Sequence, residues 1–166
     1  VSMTPWNSRP AWVEGVDHHW IRDGLIRVIQ DRGTGLLIQG SRQWQNYTVR
    51  ATLSPHMIAS GGIAARVQGL NRYYALLLDR DNGVRLVKSR DRRTVLAEAP
   101  YPWNFDEMYE LQLSVEDTRL IAAVDGETIF DVEDDRVPLP GGGIAVVCEE
   151  GRMDVIDIDV RPVRDE

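Results

Sequence analysis

A period of two runs through most of this chain. From 109 to 115, Tyr109, Leu111, Leu113 and Val115 fall on one face, and Glu110, Gln112 and Ser114 on the other. The segment 47–53 repeats the pattern, with Tyr47, Val49, Ala51 and Leu53 alternating with Thr48, Arg50 and Thr52. In 156–160, Ile156, Ile158 and Val160 oppose Asp157 and Asp159; in 63–68, Ile63, Ala65 and Val67 oppose Ala64, Arg66 and Gln68. Half-polar strands of this kind belong to antiparallel sheets with one buried and one wet face. Asp81-Asn82-Gly83 and Asp125-Gly126 supply residues that tolerate positive φ between apolar runs, as hairpins require. The stretches 90–93 and 140–143 read as further connections. Only 104–108 and the segment around 55–60 suggest a helical turn. With roughly ten to twelve short strands at sandwich-like spacing, the pattern predicts an all-β protein of two antiparallel sheets packed face to face. Val49, Ala51, Leu111, Leu113, Leu120, Val124, Ile156 and Ile158 are expected between them.

Length and charge narrow the picture. The 166 residues suit one domain, enough to bury about two-thirds of the unfolded surface. The expected division is a single β-sandwich over 16–161, an extension or strand over 1–15 and a tail over 162–166. A net charge of −7 argues against broad attraction to nucleic acid or to anionic membrane, although 19 basic residues leave room for a local basic pocket. Cys148 is the sole cysteine, so neither an internal disulfide nor a thiolate metal cluster can form, and the compartment leans towards the reducing cytosol. No apolar run approaches the ~20 residues that span a bilayer. The first ten residues lack a signal-peptide core and begin without methionine, as expected of a processed chain or a piece of a longer one.

Catalytic signatures are weak. Adjacent Glu149 and Glu150 point to opposite faces of an extended chain, and the spaced glutamate pair of glycan-cleaving jelly rolls does not occur. There is no nucleophile elbow, and Cys148 has no evident base. Gly141-Gly142-Gly143 reads as a turn, and His18 and His19 diverge if extended. No cofactor is expected; structural calcium stays open, with Asp157 and Asp159 read first as solvent-facing.

Carbohydrate recognition fits better, since hydroxyls ask for paired donors and acceptors and ring C–H faces ask for aromatics. Arg66 stands among small neighbours on the non-core side of its strand, where it either binds a ligand or pairs with a carboxylate. Tyr73 and Tyr74 point opposite ways, one into the core and one towards Arg66. Trp44 edges a cleft or caps the core. Glu149, Glu150 and Arg152 are expected at a turn between the last two strands, on a pocket rim. These seven residues form the candidate ligand-binding set.

The order of motifs carries a resemblance. It runs "DHHWIRDGLIRV", "GTGLLIQGSRQWQNYTVRATLSP", "GGIAARVQGLNRYYALLLD", "NFDEMYELQLSVEDTRLIAAVDGETIFDVED" and "GGGIAVVCEEGRMDVIDIDV". Over roughly 16–161 this resembles the concanavalin-like, laminin-G-like jelly rolls of bacterial carbohydrate-active proteins, including levan-type carbohydrate-binding modules and keto-disaccharide-hydrolase-like domains. A narrower likeness, in "GIAARVQG..RYYALLL" and "GGGIAVVCEEGR", is to the C-terminal β-sandwich of some bacterial ADP-ribosylglycohydrolase-like chains. The resemblance implies a non-catalytic module that binds a glycan or another sugar-containing small molecule, such as a sugar nucleotide, beside a catalytic domain of the same chain. An assembly domain without ligand, or a glycoside hydrolase with an unrecognised acid–base pair, are the alternatives.

Overall fold

The computed structural model describes residues 13–81 and 83–163. Trp6 and Trp12 lie outside the described residues. Twelve strands are found among them: β1 Val13–Gly15, β2 His18–Arg22, β3 Leu25–Gln39, β4 Tyr47–Met57, β5 Ser60–Gly69, β6 Arg72–Asp79, β7 Gly83–Arg90, β8 Arg93–Ala99, β9 Tyr109–Glu116, β10 Arg119–Val124, β11 Glu127–Glu133 and β12 Gly143–Pro162. All pairings are antiparallel.

Two long strands make the two layers. The first half of β12 (144–149) pairs with the end of β3 and with β5, while its second half (151–155 and onward) pairs with the start of β3 and with β4. One layer is therefore β11-β10-β9-β4-β12-β3-β2, and the other is β8-β7-β6-β5-β12-β3-β1. The bend falls at a bulge between Glu149 and Gly151, where Glu150 takes φ 49°. Gly151 is needed there because a Cβ would lie 1.6 Å from the Met57 carbonyl oxygen. The stretch 148–152 is thus not a turn between two final strands. It is the corner of one 20-residue strand.

Alternation is strict in β4 and β9, so Val49, Ala51, Leu53, Leu111, Leu113 and Val115 all enter the core between the layers. Leu120 and Val124 join them. Ile156 does not: a second bulge, between Val155 and Asp157, turns it outward to 39% exposure while Val155 and Ile158 stay inside. Nor does the segment 55–57 form a helical turn; it completes β4, and the 104–108 segment is a loop. The two-residue turn at Asp125-Gly126 has φ of 51° and 83°, as its sequence predicts. The architecture is a two-sheet antiparallel jelly-roll sandwich.

Candidate functional site

Arg66 shows how one bulge changes the chemistry. The strand pair β5–β6 loses register after Ala65, and Arg66 adopts φ 50°. Ile63 and Ala65 face the core as the alternation predicts, but Arg66 then turns to the core side as well, and Val67 joins the outer face. Arg66 is 2% exposed. Its guanidinium donates to the carbonyls of Gln45, Asp117 and Leu139 and to Asn46 Oδ1. Burial pulls its pKa down. The expected outer-face position and ligand-facing geometry are therefore overturned; Arg66 ties three loops to one end of the sandwich.

The same end holds further buried polar groups. Tyr47 hydroxyl accepts from the Arg66 amide at 2.6 Å and donates towards the Gly142 and Gly143 carbonyls. Tyr74 is the tyrosine that enters the core; its hydroxyl donates to Asp134 Oδ2 at 2.6 Å and accepts from the Leu139 amide. Burial drives both phenols well above the ordinary tyrosine value. Lys88 Nζ lies 2.6 Å from Asp134 Oδ2 and donates to the carbonyls of Arg136 and Val137. Burial would raise the Asp134 pKa, but bonds from Lys88 and Tyr74 hold it below the usual carboxylate value. Trp44 packs edge-on against Tyr47, 5.9 Å between centroids, and covers Gly40, where a Cβ would meet its ring at 2.6 Å. Of the two roles expected for Trp44, it performs the cap.

The outer face of the β8-β7-β6-β5-β12-β3 sheet is different. Its floor is apolar: Leu36, Ala64, Val67, Tyr73, Ala75, Leu77, Val87, Ala145 and Val147 form a second buried cluster. At one end of that floor the register lines up Glu149, Ser60 and Asp79 on β12, β5 and β6. Arg85 follows on β7, opposite Glu98 of β8. Arg93 of the edge strand β8 then reaches back over the floor. Its Nη1 lies 2.5 Å from Glu149 Oε1, and its Nη2 lies 3.1 Å from the Tyr73 hydroxyl and 3.4 Å from Thr34 Oγ1. β8 and β12 are four positions apart, about 19 Å in a flat sheet. An arginine cannot span that distance, so the sheet is curled and this face is concave.

Charge is balanced locally. Arg85 contacts Glu98 at 3.3 Å and Asp79 at 3.8 Å. Burial works to lower the Arg93 pKa, yet Tyr73 and Glu149 outweigh it and the value rises, so the guanidinium is held ionised. Several polar atoms are nonetheless buried without a hydrogen bond: Ser60 Oγ, Arg85 Nε and Glu149 Oε1 all lie on this one face. The last two each lie against an opposite charge, at the distances above. Ser60 Oγ is left without a hydrogen bond, while Arg85 Nε and Glu149 Oε1 each face an opposite charge, so this end of the face gathers carboxylates, guanidinium groups and a hydroxyl.

The predicted residues thus divide. Tyr73 and Glu149 come together through Arg93. Arg66 and Tyr74 lie inside, and Tyr73 meets Arg93 where Arg66 was expected. Glu150 is exposed at the bend and accepts from the Gly33 amide at 3.2 Å; with Arg152 it lines a cavity of about 480 Å³ beside Met57 and Asp31. Sequence reasoning missed Ser60, Asp79, Arg85 and Arg93. Arg93 sat in a stretch read as a connection, and only the curl of the sheet brings it to Glu149. For Asp79 and Arg85 a signal existed: each shares the parity of the outer residues Leu77 and Val87.

Comparison with known proteins agrees with the fold. No family model matches the chain, and no curated protein matches it in sequence. Solved structures do match in shape. The carbohydrate-binding module CBM66 from Bacillus subtilis superposes with a TM-score of 0.83 at 14% identity, covering 93% of this chain and 97% of that one. The exoplasmic/lumenal domain of VIP36, in a form bound to Ca2+ and mannose, gives 0.68 at 15% identity, covering 96% and 86%. A Bacillus subtilis protein of unknown function with a galectin-like fold gives 0.63 at 14%, covering 93% and 88%. At such identities the likeness establishes the jelly-roll sandwich and nothing finer.

Proposed function

We propose that the concave face binds carbohydrate without catalysis. The observation that carries this is the row Glu149–Ser60–Asp79 flanked by Arg93 and Arg85, which gathers two carboxylates, a hydroxyl and two guanidinium groups beside an apolar floor. A carboxylate beside a guanidinium presents an acceptor and a donor side by side, which suits a sugar hydroxyl that is both. Glu149 and Asp79 each lie against an arginine, an arrangement for holding hydroxyls. Carbohydrate binding by proteins of the same fold, CBM66 and mannose-bound VIP36, supports the reading. So does the resemblance of the motif order to levan-type modules. On the narrower likeness, the module serves a glycan- or ADP-ribose-processing catalytic domain in the same chain.

The test is isothermal titration of the protein with neutral hexoses, ketoses, uronic acids and ADP-ribose. A saturable heat with Kd in the micromolar-to-millimolar range, lost in Arg93→Ala, is expected. Binding that Arg93→Ala leaves intact, or no binding across the panel, would refute it.

A further inference from the structure

The row Glu149–Ser60–Asp79 does not end at Asp79. In register, the next position is Gly83 at the start of β7. There the β6–β7 hairpin meets the segment that follows β8, and the two enclose a cavity of about 570 Å³ lined by Asp79, Arg80, Asp81, Tyr101, Pro102 and Trp103 among others. Trp103 is fixed in place: its indole N–H is shared between the Asp79 and Gly83 carbonyls, 3.1 Å from each, and its ring packs edge-on against Phe105 at 5.6 Å. Tyr101 is half-buried on the same wall. This wall offers the aromatic surface that the concave floor lacks, since Tyr73, the one aromatic among the floor residues, is 2% exposed and presents only its hydroxyl.

We infer that this cavity is a second subsite, continuous with the first through Asp79, which takes the next ring of an oligosaccharide. The inference rests on the proposed binding of sugar at Arg93. From Glu149 to Gly83 the row crosses three inter-strand spacings, roughly 14 Å, more than one ring needs. The first position supplies hydroxyl recognition by charged pairs; the second supplies stacking on Tyr101 and Trp103, with Asp79, Asp81 and Arg80 at the edge.

The experiment compares chain lengths. Mannosides, fructosides and glucosides are each titrated as mono-, di- and trisaccharide against the wild type, Tyr101→Ala and Arg93→Ala. For the series that binds, Kd should fall several-fold, up to about tenfold, from mono- to disaccharide. Tyr101→Ala should remove that gain and leave the monosaccharide Kd unchanged, while Arg93→Ala abolishes both. Should Tyr101→Ala misfold, the indole N–H resonance of Trp103 in the wild type gives the answer, shifting with the disaccharide and not with the monosaccharide. Equal affinity for all lengths, with monosaccharide binding still lost in Arg93→Ala, overturns the second subsite and leaves the first standing. No binding by any series overturns both.

Discussion

Arg66 and Arg93 belong to the same sheet, yet they do opposite work. Arg66 is enclosed, and four oxygens of loops at one end of the sandwich accept from it. Arg93 has a side chain 32% exposed, and its contacts are a carboxylate and two hydroxyls on the outer face of the sheet. Neither role follows from residue type. A bulge sends Arg66 inward, and the curl of the sheet carries Arg93 across three strands. Geometry decides which arginine is a brace and which can meet a ligand.

The strongest way to break the comparison is at the enclosed end. Arg66→Ala would take the guanidinium from the Gln45, Asp117 and Leu139 carbonyls and from Asn46 Oδ1, and Lys88→Met would leave Asp134 buried and uncompensated. Each should cost about 3–5 kcal/mol in chemical denaturation. A loss below about 1 kcal/mol for either would mean that the end is solvated and the brace unnecessary. Next in size comes the shared core. Leu113 is fully buried between the sheets, and Leu113→Ala should cost about 2–5 kcal/mol by the same measurement.

How far the sequence reaches can be judged from these residues. Leu111 and Leu113 were legible because β4 and β9 hold an unbroken alternation, and a side chain's parity then tells its face. Arg66 and Ile156 were misread for one reason: a bulge shifts parity by one, and a non-glycine residue at φ 50° leaves no mark in the sequence. Arg93 and Glu149 are 56 positions apart in the chain (149 − 93), and no local pattern reports on sheet curvature. The opposite faces of Tyr73 and Tyr74 could be read, but which arginine each would meet could not.

A smaller effect tests the bent strands. His56 bridges Asp106 and Asp154, with its ring nitrogens at 2.7 and 2.8 Å, and Asp154 also holds Arg27. The bonds to Asp106 and Asp154 raise the His56 pKa above 6.5. Its stabilising contribution is therefore complete below about pH 6.5 and fades as pH rises through the higher folded value. Burial would raise Asp154, but Arg27 and His56 carry it below 3.8, so its contribution is present above that value and fades as pH falls through the folded one. Melting temperature should decline on the alkaline side in the wild type, and that slope should flatten in His56→Gln. An identical slope in the variant would remove His56 from the account. A chelator should do least of all, shifting the melting temperature by no more than about a degree, since among the described residues no three His, Cys, Asp or Glu are placed to hold a metal ion. A shift of several degrees would point to structural calcium.

The central claim is that the concave cluster binds and the enclosed cluster only braces. The most direct measurement is paired, following sugar titration and thermal melting of Arg93→Ala beside those of the wild type. Arg93→Ala should still melt cooperatively, at a lowered temperature because Glu149 loses its cation, and should show no saturable binding. If Arg93→Ala instead binds the sugar as the wild type does, the ligand site is elsewhere and the account fails.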